Sequence, residues 1–381
     1  MSDATKLIHT GRNDPSFQGA VNPPIHRAST ILFERAEDLY GSPKRSYGTQ
    51  GMCVHDSLKA VLRELEQAHS VQLTNSGLSA CTVALLALCS AGDHVLVSDN
   101  TYGPVRTFCD QHLSRFGAQI GYFDPRIGAK IADHIQPNTK LIWLEAPGSL
   151  TMEVSDIPAI VAVAKASNIW TAIDNTWAAG WFLKPLTMGV DFSIQAATKY
   201  PCGHSDVLMG TIAAGHAKAS AVLAKYNQAS GNINSADDAW LVLRGLRTMG
   251  VRLERHQQSA IAIAKWLTTR PEVRQVLHPA LPEHPDHQIW QRDFTGSSGL
   301  FSLVLRPTSE KQVLAFLNAL DLFGLGFSWG GYLSLAVHCD PQLVRTAGHW
   351  VADGPLIRLS IGLEDVDDLI ADLDQAFAQI T

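Results

Sequence analysis

The chain of 381 residues lacks the marks of several large protein classes. Lys and Arg number 30 against 36 Asp and Glu, a formal net charge of −6, so no basic footprint for nucleic acid or an anionic membrane is expected. No apolar run approaches the roughly 18 residues of a membrane-spanning helix, and the N-terminus carries no apolar signal core. A cytoplasmic location is the expectation. Cys53, Cys81, Cys89, Cys109, Cys202 and Cys339 form no Cys-x-x-Cys pair and no metal-like spacing, which suits free thiols in a reducing compartment. His284 and His287 lie in a proline-rich loop with no further ligand cluster, so no metal site is expected. Neither G-x-x-x-x-G-K-[ST] nor G-x-G-x-x-G occurs, which points away from nucleotide hydrolysis and from a dinucleotide cofactor.

What is present is a chain at 46% hydrophobic content, long enough for two domains with cores of their own. Residues 1–55 carry Pro15, Pro23, Pro24 and several glycines without a sustained helical period. They read as an arm that wraps over a neighbouring domain or subunit. From Leu58 the period becomes helical. Strands are then expected at 71–74, 94–98, 119–123, 140–145, 169–174 and 190–195. Helices are expected near 77–90, 104–116 and 157–167, the last with Asp156 as cap and Pro158 in its first turn. This alternation over 56–245 predicts a mostly parallel sheet with helices on both faces. After Gly210 the texture changes. A long amphipathic helix at 248–268, a strand at 299–305, a capping-box helix start at Ser309 with Gln312, and a final helix from Val366 predict a smaller α+β domain over 246–381.

Within the first domain, two apolar strands each end in a single charge, Asp174 and Lys199. Ligands of open α/β sheets bind at the carboxyl ends of the strands. Taken singly, Lys199 is equally a lysine reaching solvent from a strand end, and Asp174 a turn cap. Together they meet two needs of pyridoxal phosphate, an amine to bond it and a carboxylate to hold its ring nitrogen protonated. The third need is a phosphate cradle. Asn75-Ser76-Gly77-Leu78-Ser79-Ala80 offers backbone N–H groups at a helix start, a geometry that serves an anion or a plain N-cap. Tyr102, just past the second strand, is placed to stack on a flat ring or to lie half-buried in its loop. Arg358 alternates with Ile357, Leu359 and Ile361, as suits bidentate binding of a carboxylate or a surface ion pair. Phe327 to Tyr332 is a tight turn whose Trp329 is placed to wall a pocket.

These motifs together resemble the Cys/Met-metabolism family of pyridoxal-phosphate enzymes, and within it the bacterial cystathionine β-lyases. The resemblance rests on Gln195-Ala-Ala-Thr-Lys-Tyr-x-x-Gly-His-Ser-Asp206, Ile173-Asp-Asn-Thr-Trp-Ala-Ala-Gly180, Pro147-Gly-Ser-Leu-Thr-Met-Glu-Val154, Arg292-Asp-Phe-Thr-Gly-Ser-Ser-Gly-Leu-Phe301, Ser328-Trp-Gly-Gly-Tyr332 and the segment Leu356 to Leu369. It implies the aspartate-aminotransferase-like fold and pyridoxal 5'-phosphate as cofactor. It also implies a homo-oligomer, a tetramer, with sites at subunit interfaces. By the same resemblance Lys199 bonds the cofactor, Asp174 pairs with its ring nitrogen and Tyr102 stacks on the ring. Gly77, Leu78, Thr198 and a neighbour's Tyr47 hold the phosphate, and Arg358, Ser328 and Trp329 bind substrate. Lys199 moves protons, with Tyr102 or Tyr47 as a second donor to the leaving thiolate.

The implied reaction is β-cleavage of L-cystathionine to homocysteine, pyruvate and ammonia, in transsulfuration and methionine biosynthesis. γ-Cleavage or γ-replacement, broader cysteine-S-conjugate β-cleavage, and a cofactor-binding regulator acting through a protein partner are the rival readings. The chain departs from the family pattern at Thr49, where relatives place arginine, which leaves Arg45 or Gln50 for that role. Leu333 stands where relatives have glutamate. Phe327 stands where γ-cleaving relatives commonly have glutamate, which favours β-elimination.

Overall fold

The computed structural model describes residues 1–41, 45–348 and 350–380. Seven strands form the first sheet: β1 (Ser70–Thr74), β2 (His94–Ser98), β3 (Gln119–Phe123), β4 (Thr139–Glu145), β5 (Trp170–Asp174), β6 (Phe192–Ala196) and β7 (Gly210–Ala214). Their order is β1-β7-β6-β5-β4-β2-β3. Neighbours from β6 through β3 run parallel, whereas β7 is antiparallel to both β6 and β1.

The side-chain period of two sorts these strands between two cores. Leu96, Ile142, Leu144 and Ile173 pack on one face with Leu58, Val61, Leu62 and Leu65 of the helix Cys53–Glu66 and Ile160 and Val161 of Ile157–Ala166. Val95, Val97, Leu141, Trp143, Ala172 and Ile194 pack on the other face with Val83 and Leu85 of Gly77–Leu88 and Val105 of Gly103–Phe108. The central strands β2, β4 and β5 are therefore apolar on both faces, as a doubly covered parallel sheet requires. Continuing the alternation, Glu145 and Asp174 fall on the face of Gly77–Leu88, side by side in register at the ends of β4 and β5.

A second sheet holds β8 (Val273–Leu277), β9 (Leu300–Leu305), β10 (Gly324–Leu325), β11 (Leu335–His338) and β12 (Leu356–Ser360), in the order β10-β11-β12-β9-β8. Ile357, Leu359 and Ile361 enter its core with Leu369, Leu373 and Phe377 of the last helix, Val366–Phe377. Leu356 lies in the core of the first sheet instead, so Arg358, on the same side of β12 as Leu356, faces the first sheet. The Trp177 indole donates to Leu300 O at 2.8 Å and ties the loop after β5 to β9.

The expected elements all occur, with Asp156 capping Ile157–Ala166 and Ser309 with Gln312 forming the capping box of Glu310–Asn318. Four departures have physical causes. The arm contains a short helix, Asp3–His9, whose one buried side chain is Leu7 and whose last turn is held by Arg247 donating to Leu7 O and Thr10 O; tertiary contact, not local period, makes it. The helix Cys53–Glu66 begins before the expected end of the arm, with the His55 ring accepting the Met52 N–H at 2.9 Å. β7 lies outside the expected strands, because Gly210-Thr-Ile-Ala-Ala has little β-propensity and is made a strand by pairing on both sides. The expected helix over 104–116 is α-helical only to Phe108, then widens to a π-turn over Cys109–Leu113 and tightens at Ser114–Phe116.

Candidate active site

The carboxyl ends of β4, β5 and β6, the start of Gly77–Leu88 and the turn before β11 surround a cavity of about 570 Å³, a size suited to a small ligand. Gly77, Leu78, Tyr102, Asp174, Thr198, Lys199, Trp329 and Arg358 line it. Eight of the ten residues singled out from the sequence thus meet in one place. Ser328 reaches the same place through Lys199, whose Nζ donates to Ser328 Oγ at 2.9 Å. Tyr47 does not line this cavity and is half-exposed in the arm.

At the base, Asp174 Oδ1 accepts the Thr176 N–H at 3.0 Å and the Thr176 hydroxyl at 2.6 Å. Its Oδ2 accepts from the Cys81 thiol at 3.8 Å, a weak contact that leaves this oxygen lone-pair capacity for a ligand. Burial raises the Asp174 pKa, so its charged form calls for a cationic partner. Lys199 is pushed the other way. Burial first, then the Arg358 guanidinium, lower its pKa to about 8, so a fraction of the amine is free at neutral pH. Gly330, at φ +79°, lets the turn close on this lysine: a Cβ there would lie 3.2 Å from Lys199 Cβ. The Trp329 ring lies 5.2 Å from Lys199 Nζ.

Along one wall, the helix Gly77–Leu88 starts under a Ser76 cap whose hydroxyl accepts the Ser79 N–H. The first N–H groups of a helix have no partner within it and sit at its positive end, so those of Gly77 and Leu78 suit an anion. Gly77 must be glycine for this approach, since a Cβ would come 2.4 Å from Ala196 Cβ. Opposite, Arg358 is nine-tenths buried and donates through Nη2 to Phe327 O at 2.6 Å. A cationic ring nitrogen, an aldehyde and a phosphate dianion would each find a matching group in Asp174, Lys199 and the Gly77 turn, so the residues present fit pyridoxal phosphate.

The sequence left other residues unremarked. Glu145 reaches the cavity with its Oε2 accepting the Tyr102 N–H at 2.6 Å. It closes an apolar strand as Asp174 does, a signal that was available. Asp99 accepts from the backbone N–H groups of Thr346, Ala347 and Gly348 at 2.8, 2.9 and 2.7 Å and from Arg106. That link holds Val344 and Arg345 at the cavity wall and joins segments about 250 positions apart, which no local pattern carries. The residues left for the missing arginine at Thr49 are engaged within the arm and at the start of the helix Cys53–Glu66. Arg45 bonds Gly51 O and Asp56, and Gln50 Oε1 accepts from Ser46 N and Tyr47 N.

The family model described as Cys/Met metabolism PLP-dependent enzyme matches residues 4–378. A putative cystathionine beta-lyase of Rhizobium johnstonii is 48% identical over 98% of this chain and 95% of its own length. Cystathionine beta-lyase of Escherichia coli is 45% identical over 99% of this chain and 98% of its own. In three dimensions the chain is similar to the metB protein of Corynebacterium glutamicum, with a TM-score of 0.94 at 29% identity over 100% of this chain and 99% of that one.

Proposed function

The chain belongs to the Cys/Met metabolism PLP-dependent enzymes, and we propose that it is a carbon–sulfur β-lyase that cleaves L-cystathionine to homocysteine, pyruvate and ammonia. The observation that carries the assignment of roles is the convergence of Lys199, Asp174 and Arg358 on one cavity. When bound, pyridoxal phosphate supplies an electron sink for the pair left at Cα on proton removal.

The residues around it divide the remaining work. Arg358, buried and held by Phe327 O, binds the substrate α-carboxylate and sets which Cα bond faces Lys199. Lys199, brought towards neutrality by burial and steadied by Ser328 Oγ, takes the Cα proton at Nζ. The Cβ–S bond breaks, and Lys199 returns that proton to the departing sulfur. The Tyr102 phenol, whose pKa burial raises, stays protonated as a second donor. The three-carbon enamine left behind takes up water and yields pyruvate and ammonia. Asp174, fixed by both donors of Thr176, holds the ring nitrogen cationic, Tyr102 stacks on the ring, and Gly77, Leu78 and Thr198 hold the phosphate.

Pyruvate and homocysteine in equal amounts are expected from purified enzyme with cystathionine. If 2-oxobutyrate and cysteine appear instead, the reaction is γ-cleavage and the β-lyase reading fails.

The same reading makes the active unit an oligomer. The arm exposes Val21, Leu32 and Tyr40 at 63, 90 and 95% and leaves Tyr47 without a role in its own cavity, as suits a segment laid across a second copy to complete its phosphate site. Light scattering is expected to give a tetramer, and a fully active monomer would remove Tyr47 from the site.

A further inference from the structure

Glu145 is a buried carboxyl group of the cavity that the steps above leave unused. It closes β4 directly beside Asp174 on β5, is 8% exposed, and lines the cavity. Its Oε2 accepts the backbone N–H of Tyr102 at 2.6 Å and lies 3.5 Å from the Thr101 hydroxyl.

The other side of Tyr102 is fixed as firmly. This residue is the N-cap of Gly103–Phe108, and its carbonyl accepts from Val105 N at 2.9 Å and Arg106 N at 3.2 Å. The peptide groups on either side of its Cα are thus pinned, one to β4 and one to the first helical turn, while the ring itself stands 44% exposed at the cavity. A side chain so placed takes its direction from its backbone.

We propose that Glu145 is a positioning residue, whose hydrogen bond to the Tyr102 N–H sets the tilt at which the Tyr102 ring lies over the cofactor. The bond does not need a negative charge. Burial and the neighbouring Asp174 push Glu145 up to about 8, and a neutral carboxylic acid still offers its carbonyl oxygen to the N–H. Glutamine presents an oxygen of the same kind at the same reach. Alanine presents none, and aspartate keeps the acid but withdraws it by one methylene. The inference rests on Tyr102 being the ring-stacking residue and is independent of which sulfur amino acid is cleaved.

The test compares Glu145→Gln, Glu145→Ala and Glu145→Asp in the holoenzyme. It reads the circular dichroism of bound pyridoxal phosphate, the rate of cofactor release on dilution, and kcat and KM separately. Glu145→Gln should keep the dichroic band and a release rate within about twofold of wild type, while Glu145→Ala should alter the band and release cofactor about tenfold faster. In the alanine variant kcat should fall by about tenfold or more with KM changed by less than about threefold, because ring placement and not carboxylate binding is lost. Glu145→Asp should move in the same direction and serves where the alanine variant does not fold. Against a Tyr102→Ala background, Glu145→Ala should add nothing to the release rate, since two residues acting through one contact are non-additive. The proposal is overturned if Glu145→Gln is as impaired as Glu145→Ala, which would make charge beside Asp174 the cause. It is equally overturned if Glu145→Ala leaves dichroism and release unchanged, or if its effect persists in full without the Tyr102 ring. Failure of the β-lyase reading would show separately, in the products of the wild-type enzyme.

Discussion

Replacing Lys199 by alanine is expected to remove the absorption band of covalently held cofactor and to lower kcat by about 10³-fold or more, because one side chain both bonds the cofactor and moves the Cα proton. The protein should still fold. Among the described residues Lys199 spends no buried hydrogen bond on the core, its side-chain hydrogen bond going to Ser328 Oγ in the cavity. Cofactor would then be held only by its phosphate and ring contacts and should wash out on dialysis. A companion measurement follows from burial lowering this amine to about 8. At pH 7 roughly a tenth of it is free base, against well under a thousandth for an ordinary lysine. Capture of added cofactor by stripped wild-type protein should therefore rise about tenfold per pH unit below about pH 7, about fivefold from about pH 7 to 8, and then level off. Capture that kept climbing towards pH 10, or a mutant with its band intact, would place the reactive amine elsewhere.

The contrast between Lys199 and Glu145 shows which parts of this site a sequence exposes. Lys199, Asp174 and the Gly77 turn stand out because each breaks an apolar run at a strand end or helix start, and the alternation of elements says those ends lie together. Arg358 is legible from the period of two along β12, which sends Ile357 and Leu359 into one core and the arginine to the other face. The antiparallel β7 and the helix Asp3–His9 are not legible, since residues distant in the chain supply their hydrogen bonds. The same holds for the carboxylate of Asp99, which binds three successive N–H groups from the other end of the molecule. Glu145 lies between these cases. Its place at a strand end could be read, but its work cannot, because the group it holds is a backbone N–H that every residue has.

Asp174→Asn tests the electronic half of the site with the geometry left in place. Asparagine keeps an oxygen to accept from Thr176 N and Thr176 Oγ1, as Asp174 Oδ1 does, and that pairing directs its NH2 group to where Oδ2 now faces the cavity. Two things change together: the negative charge is gone, and a donor confronts the ring nitrogen, which then favours its unprotonated state. Since burial raises the Asp174 pKa, pairing with a cation favours the native carboxylate, and the substitution removes that pairing without opening a cavity. The expected result is near-normal cofactor content and thermal stability with kcat lowered by about 10²- to 10³-fold, the scale set by loss of one preorganised electrostatic contact to developing charge. KM for cystathionine should stay within about threefold, because Arg358 and not Asp174 holds the substrate carboxylate. Retention of more than about a third of wild-type kcat would mean that the ring nitrogen need not be held cationic by Asp174. A large rise in KM with kcat preserved would instead assign Asp174 to substrate binding.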